Sequence, residues 1–236
     1  MNAFSRNASV MQRRLEPADS LDYFPTPPWG TRALTQRVLP EIWQWPDLFA
    51  GLAVDPCCGE GHMAAVLAED FDAVEAGDIH PYGYGAVRDF LAWERDSVDW
   101  WISNPPFNAA EEFILHGLTV ARRGVAALVR TSFLEGRVRH SRLFSKRPPQ
   151  IVAQFVERLP MHGKRWVIDG KSATSYCWMV WLRHVPHDWR HCRMMWIQPS
   201  RQSLTRADDW LRFSGCMDLP KKHPAMVLQD EKREAT

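Results

Sequence analysis

The chain has 236 residues, 45% of them hydrophobic, and a net charge of only +1, which is enough apolar chain for one packed domain and excludes global disorder. Five cysteines, an odd number with Cys57 and Cys58 adjacent, argue against a disulfide framework and for free thiols in a reducing compartment. No apolar run approaches membrane-spanning length and the first residues contain no apolar h-region, so a soluble, cytoplasmic protein is expected.

The small net charge conceals an uneven distribution. Residues 51–120 hold thirteen Asp/Glu against two Lys/Arg, whereas residues 130–171 hold ten Lys/Arg against three Asp/Glu. Two differently solvated faces would give this pattern. So would an acidic cofactor half beside a basic half that meets an anion such as a nucleic-acid backbone.

Residues 1–20 are polar and without period, and read as a flexible N-terminal segment. Asp22-Tyr23-Phe24-Pro25-Thr26-Pro27-Pro28-Trp29 follows, and three prolines in four positions force an extended arm. Such an arm serves either as a rigid surface segment or as a strap across a pocket. Residues 30–39 read as a helix with Thr31 as N-cap and Pro40 beyond its end.

Leu52 to Asp55 is a short apolar strand, followed by Pro56-Cys57-Cys58-Gly59-Glu60-Gly61 and a helical MAAVLAED run. The glycines permit a tight turn and close backbone approach. A second strand, Ala73 to Ile79, carries Asp78 twenty-three residues after Asp55, about where a Rossmann-like unit places an acid on ribose hydroxyls. Residues 86–93 bring Asp89-Phe90, an acid beside an aromatic that suits an adenine ring or simply closes a strand.

Val98 to Ile102 is a buried strand that stops at Ser103-Asn104-Pro105-Pro106-Phe107. This forms a rigid rim with one amide, fixed backbone carbonyls and one aromatic face, suited to a flat, amino-bearing group. Asn108 is a candidate cap for a helix over 109–123, whose early Glu111 and Glu112 and late Arg122 and Arg123 suit the helix dipole. Val125 to Arg130 is another buried strand. Asp55, Asp78, Asp89 and Asn104 all fall at the carboxyl ends of predicted strands, where parallel sheets bind ligands.

Beyond Arg130 the chain becomes basic, with Arg137, Arg139 and Arg142 followed by a cationic loop containing Lys164, Arg165 and Trp166. Ile151–Glu157 and Tyr176–Leu182 read as an antiparallel edge hairpin, 192–197 as a further strand and 205–213 as a short helix. The fold class is therefore α/β: a mostly parallel, Rossmann-like sheet with helices on both faces and an antiparallel edge hairpin. One domain is expected over 21–219, with a small basic recognition region within 130–175 and a flexible tail over 220–236. His184, His187, His191 and Cys192 match no common zinc spacing, and no metal is expected.

Asp55-Pro56-x-x-Gly59-x-Gly61, then Asp78, then Asn104-Pro105-Pro106-Phe107, resembles the S-adenosylmethionine-dependent N6-adenine DNA methyltransferases, with a looser likeness over 130–183 to phage and prophage methyltransferases. The resemblance implies that Phe24, Thr26 and Pro27 close over the methionine part of the cofactor. Asp55, Pro56, Gly59 and Gly61 line its methionine side, Asp78 and Ile79 meet the ribose, Asp89 and Phe90 meet the adenine, and Asn104 also borders the cofactor. It implies that Asn104, Pro105, Pro106 and Phe107 hold a flipped adenine of DNA. Arg137, Arg139, Arg142, Lys164, Arg165 and Trp166 are candidates for DNA contact. The chain departs from the family's pattern at Cys57, where Phe is common. Related rims serve enzymes that methylate RNA bases or protein glutamine, and a non-catalytic cofactor-binding protein is a further alternative.

Overall fold

The computed structural model describes residues 22–41, 47–94, 97–167, 169–183, 185 and 191–213. The expected flexible ends over 1–20 and 220–236 lie outside them.

Eight strands form one sheet: β1 (Leu52–Asp55), β2 (Ala73–Asp78), β3 (Ala86–Val87), β4 (Val98–Ser103), β5 (Ala121–Arg130), β6 (Ile151–Phe155), β7 (Tyr176–Leu182) and β8 (Arg193–Ile197). Their order is β3-β2-β1-β4-β5-β7-β6-β8. The first five pair in parallel. The expected hairpin of β6 and β7 forms, with β7 inserted antiparallel beside β5. β8 then pairs in parallel with β6 and carries the sheet one strand further. Strand order reverses between β1 and β4, so the loops after these strands diverge and leave a crevice at their carboxyl ends.

The sequences of the central strands explain their position. β4 and β7 are buried at every residue, as expected of strands covered on both faces. Trp100, Ile102, Ala126, Leu128, Trp178 and Val180 face one apolar layer, and Trp101, Val125, Ala127, Met179 and Trp181 face the other. Val98 shares a face with Trp101 despite an odd spacing, because the β4–β5 register shifts between Val98 and Trp100. The irregularity turns Asp99 toward the start of β1, where it accepts from the Leu52 N–H at 2.8 Å.

Three local expectations change. The first helix, α1 (Pro28–Ala33), starts two residues early with Pro28 in its first turn, and Thr31 lies buried inside it rather than capping it. The helix after the rim, α3 (Ala110–Val120), follows Ala109 without a side-chain cap, so Asn108 does not fill that role. It also ends before Arg122 and Arg123. These belong to β5 and lie 3.0 and 3.6 Å from the Asp99 carboxylate. The expected helix over 205–213 is two short turns, Arg201–Leu204 and Asp209–Arg212.

Candidate functional site

A cavity of about 480 Å³, within the usual range for small-molecule sites, opens at the carboxyl ends of β1 to β4. It brings together Phe24 and Thr26 of the arm, Asp55 and Pro56 after β1, Asp78 and Ile79 after β2, Asp89 and Phe90 after β3, and Asn104 and Pro106 of the rim. Pro27, Gly59, Gly61, Pro105 and Phe107 are not part of this lining, whereas Cys57, Tyr82, Arg88 and Phe113 contribute to it.

The Gly-rich turn leads into α2 (His62–Leu67), and Gly59 and Gly61 have φ of +52° and +84°. A Cβ at Gly59 would lie 2.1 Å from the Tyr23 ring, and one at Gly61 would lie 2.4 Å from the Tyr84 ring. The close approach that the glycines allow is thus made by aromatic side chains. Tyr23 fastens the arm to the turn, since its hydroxyl accepts from the Glu60 N–H at 3.2 Å. Its ring also meets Tyr82 at 4.7 Å, and its carbonyl accepts from the Lys164 N–H at 2.8 Å.

Asp78 is almost fully buried at the end of β2, and each carboxylate oxygen accepts one backbone bond, from Gly59 N–H and His80 N–H, both at 3.0 Å. Each oxygen keeps a lone pair for a ligand hydroxyl. Asp89 is exposed, with Oδ1 accepting from the Leu91 N–H at 2.9 Å, and Phe90 beside it is buried against Trp93 and Trp101. Asp55 is 1% exposed, and both carboxylate oxygens are buried without a hydrogen-bond partner. Burial, reinforced by the charge of Asp78, pushes its pKa up to about 8; the Cys57 and Ala64 N–H groups oppose this without closing to hydrogen bonds. A buried carboxyl with two orphaned oxygens favours a cationic ligand, which would restore its charge.

Cys57 fills the place at which the resembled family often has an aromatic ring, and its thiol donates to the Asn104 carbonyl at 3.6 Å. Burial and the charges of Asp55 and Asp78 hold both neighbouring thiols, Cys57 and Cys58, well above their ordinary pKa. They remain neutral and serve as packing and weak donors.

The rim is tied to the arm at two points. Asn104 Nδ2 donates to the Phe24 carbonyl at 2.8 Å, and the Phe107 N–H donates to Asp22 Oδ2 at 2.6 Å. Because a carbonyl can only accept, the first bond fixes which end of the amide faces the arm. Asn104 Oδ1 accepts from no described residue. The Pro106 carbonyl accepts from the Ala109 N–H at 3.0 Å, while the Pro105 carbonyl accepts from no described residue. The Phe107 ring lies 5.3 Å from Phe24 and 6.3 Å from Tyr176, with the Arg130 guanidinium 3.8 Å from its centre. Arg130 closes β5 and meets the rim only through tertiary structure, so local sequence carries no signal for it.

The basic candidates separate. Trp166 is not a surface contact: it is 2% exposed and packs on Val66 and Phe213. Arg139 donates to the Phe133 and Glu135 carbonyls at 2.8 and 2.5 Å and lies 3.9 Å over the Phe133 ring. Arg142 pairs with Glu111 at 3.0 Å. Arg137 and Lys164 are exposed, and Arg165 lies in the same loop as Lys164. His184 and His187 lie outside the described residues, and among the described residues no group of three or more His, Cys, Asp or Glu is placed to hold a metal ion. No described helix is long and apolar enough to cross a membrane.

No protein-family model and no curated protein matches the chain. Solved structures do share its fold. A putative RNA methyltransferase from Pyrococcus horikoshii aligns at a TM-score of 0.52 and 14% identity, covering 72% of this chain and 91% of that one. A putative class I S-adenosylmethionine-dependent methyltransferase from Listeria monocytogenes aligns at 0.51 and 15% identity, covering 83% and 71%. A modification subunit of a putative type I restriction enzyme from Vibrio vulnificus aligns at 0.51 and 14% identity, covering 70% of this chain and 45% of that longer one. The fold is the Rossmann-like fold of class I methyltransferases, with the candidate site in its strand-end crevice.

Proposed function

We propose that the chain is an S-adenosylmethionine-dependent methyltransferase that modifies the N6 amino group of adenine in DNA. The observation that carries this reading is the orientation of Asn104: its amide nitrogen is committed to Phe24, leaving Oδ1 as an acceptor beside a cavity lined by four carboxylates, those of Asp22, Asp55, Asp78 and Asp89.

The residues fit the cofactor chemically. Asp55 offers a carboxylate whose ionisation a cation would favour, Asp78 offers two acceptors to a cis-diol, and Asp89 with Phe90 offers an acceptor and an apolar face to an adenine. Bound there, S-adenosylmethionine supplies a methyl group on a positively charged sulfur, ready for transfer to a nucleophile.

The protein's task is on the acceptor side. The lone pair of an adenine amino group is delocalised into the ring. Asn104 Oδ1 and the Pro105 carbonyl, accepting from the two amino hydrogens, favour localising that lone pair toward the methyl group. Both acceptors are preorganised, by the Phe24 bond and by the proline rings, so little reorganisation accompanies reaction. Phe107 supplies the stacking surface that a base taken out of its stack requires. Transfer would form the N–CH3 bond as the S–CH3 bond breaks, with S-adenosylhomocysteine as the leaving group, and the amino proton would pass to solvent.

The acceptor polymer is tested directly. Labelled S-adenosylmethionine is supplied with adenine-unmethylated DNA, RNA and a protein extract in parallel. Label recovered as N6-methyladenine in DNA is expected; label confined to RNA or protein would replace the acceptor, and cofactor binding without transfer would leave a binding protein.

A further inference from the structure

Phe107 is covered in this structure. The Arg130 guanidinium carbon lies 3.8 Å from its ring centre, on the side chain assigned above to stacking the acceptor base. A planar cation and a planar base cannot share one ring face. Several other arginines of the fold are matched by acids: Arg32 by Glu69 and Asp209, Arg122 by Asp99, and Arg142 by Glu111. Arg130 is not: its Nε is buried without a hydrogen-bond partner, and no described carboxylate pairs with it. Among the described residues the cation is therefore held by an aromatic contact alone.

A second cation stands nearby. Arg130 is aligned with Tyr176 across the β5–β7 ladder, and the next pair is joined by the Thr131 N–H donating to the Ser175 carbonyl at 2.9 Å. The exposed Arg158, in the loop after β6, donates to the Ser175 hydroxyl. Arg130 and Arg158 thus occupy one lip of the sheet, on the acceptor side of the rim. Arginine suits exchange between partners, because its flat guanidinium stacks on rings and also pairs with phosphate in a two-pronged geometry.

We propose that Arg130 is a phosphate-drawn gate on the acceptor site. Without a strand its guanidinium covers Phe107; a backbone phosphate arriving at the lip draws it off the ring and opens the stacking face to the base. The inference rests on the reading that a nucleic-acid adenine is the acceptor. Its consequence is selectivity for polymer over nucleoside, since a nucleoside lacks the phosphate that uncovers the ring.

The test uses the full chain with S-adenosylmethionine and two acceptors: an adenine-containing oligodeoxynucleotide over a salt series, and deoxyadenosine. Arg130→Ala, Arg130→Gln and Arg130→Lys are compared with wild type, with thermal melting and S-adenosylhomocysteine binding as checks of folding. In the Ala and Gln variants the oligonucleotide KM should rise about tenfold, and the salt slope of its binding should fall by about 0.7–0.9, one phosphate contact. Their kcat/KM for deoxyadenosine should rise severalfold. Arg130→Lys keeps the charge without the flat fork, so it should retain most of the oligonucleotide affinity while gaining nucleoside turnover. Should Arg130→Ala not fold, the Gln and Lys variants decide. Parallel losses on both acceptors, an unchanged salt slope, or equal wild-type use of nucleoside and oligonucleotide would overturn the gate while leaving adenine methylation in place. A wild-type protein that binds S-adenosylhomocysteine yet methylates neither acceptor overturns the functional reading and the gate with it.

Discussion

Asn104 Nδ2 donates to the main-chain carbonyl of Phe24 across eighty residues of sequence, at 2.8 Å. The arm therefore does more than cover the cavity: it sets the direction of the rim amide. Asn104→Ala removes the oriented acceptor while leaving Asp55, Asp78 and Asp89 untouched. Turnover should fall by about 10²–10³ or more, the usual cost of deleting one preorganised group at a reacting centre. Calorimetric affinity for S-adenosylmethionine should fall far less than turnover, because the stronger tie to the charged Asp22 still holds the arm. Retained turnover in this variant would remove the proposed mechanism.

The second tie between arm and rim is the carboxylate of Asp22, which accepts from the Phe107 N–H at 2.6 Å from a left-handed backbone at φ +39°. A hydrogen bond to a charged group is worth about 1.5–3 kcal/mol. Asp22→Ala should release the arm and weaken cofactor binding by about tenfold, the equivalent of roughly 1.4 kcal/mol. Titration calorimetry reads this directly, and Asp22→Asn, which keeps an acceptor oxygen, should recover part of the loss.

What could be read from the sequence divides by range. Asp55, Asp78 and Asn104 end apolar runs, and in a parallel sheet the end of a run is also a place in the crevice, so local pattern sufficed to gather them. The Pro-rich arm was legible in part: its prolines keep residues 22–27 out of regular structure, but Pro28 and Trp29 open α1, and the ties to Asn104 and Phe107 that place the arm are long-range. Long-range contacts were not legible. Trp166 sits among cations in sequence, yet its burial is decided by Val66 and Phe213. Arg122 and Arg123 suit a helix terminus, but Asp99 at the β4 irregularity captures them for a strand. Arg130 closes a strand like any other residue, and only the packing of β5 beside the rim lays it on Phe107.

Asp55 makes a pH-dependent prediction whose sign is fixed. In the unfolded chain its carboxyl titrates near the usual value of about 3.9. In the folded protein burial pushes it up to about 8. Between these values the native state holds a proton that the unfolded state has lost. The stabilising contribution is complete below about pH 4, declines as pH rises, and is gone above about pH 8. Asp55→Asn cannot ionise, so the wild-type minus variant difference in urea midpoint should shrink across that range. Cofactor affinity should move the other way, since a cation favours the ionised carboxylate: in wild type it strengthens from pH 6.5 to 8.5, and in the variant it stays flat. Parallel curves for the two proteins would show that the carboxyl is charged throughout.

The end of the described chain is fastened to its beginning through a buried charge cluster, and this sets the last prediction. Arg32 in α1 is 1% exposed and lies 2.6 Å from Asp209, also 1% exposed, and 2.8 Å from Glu69 after α2. Burial acts to lower the pKa of the guanidinium, but its bonds to Glu69 and Asp209 outweigh this and hold it above its ordinary value. Glu69 is likewise held below the usual carboxylate range, with the bonds from Arg32 and Arg212 overcoming its own desolvation. Phe213, just beyond Asp209, stacks on His62 at 5.2 Å, so the cluster also supports the first residue of the helix that follows the Gly-rich turn. Asp209→Ala leaves Arg32 with one acid instead of two in a site that water does not reach. Breaking a buried pair from one side costs about 3–5 kcal/mol, and the retained Glu69 places the expected loss at the lower end. Replacing both partners by apolar residues, Arg32→Met with Asp209→Leu, removes the charge together with its need for a partner, and should recover most of that stability. Urea unfolding of the single and double variants measures both quantities. Equal losses in the two proteins would mean that the cluster matters through its shape and packing, rather than through the pairing of its charges.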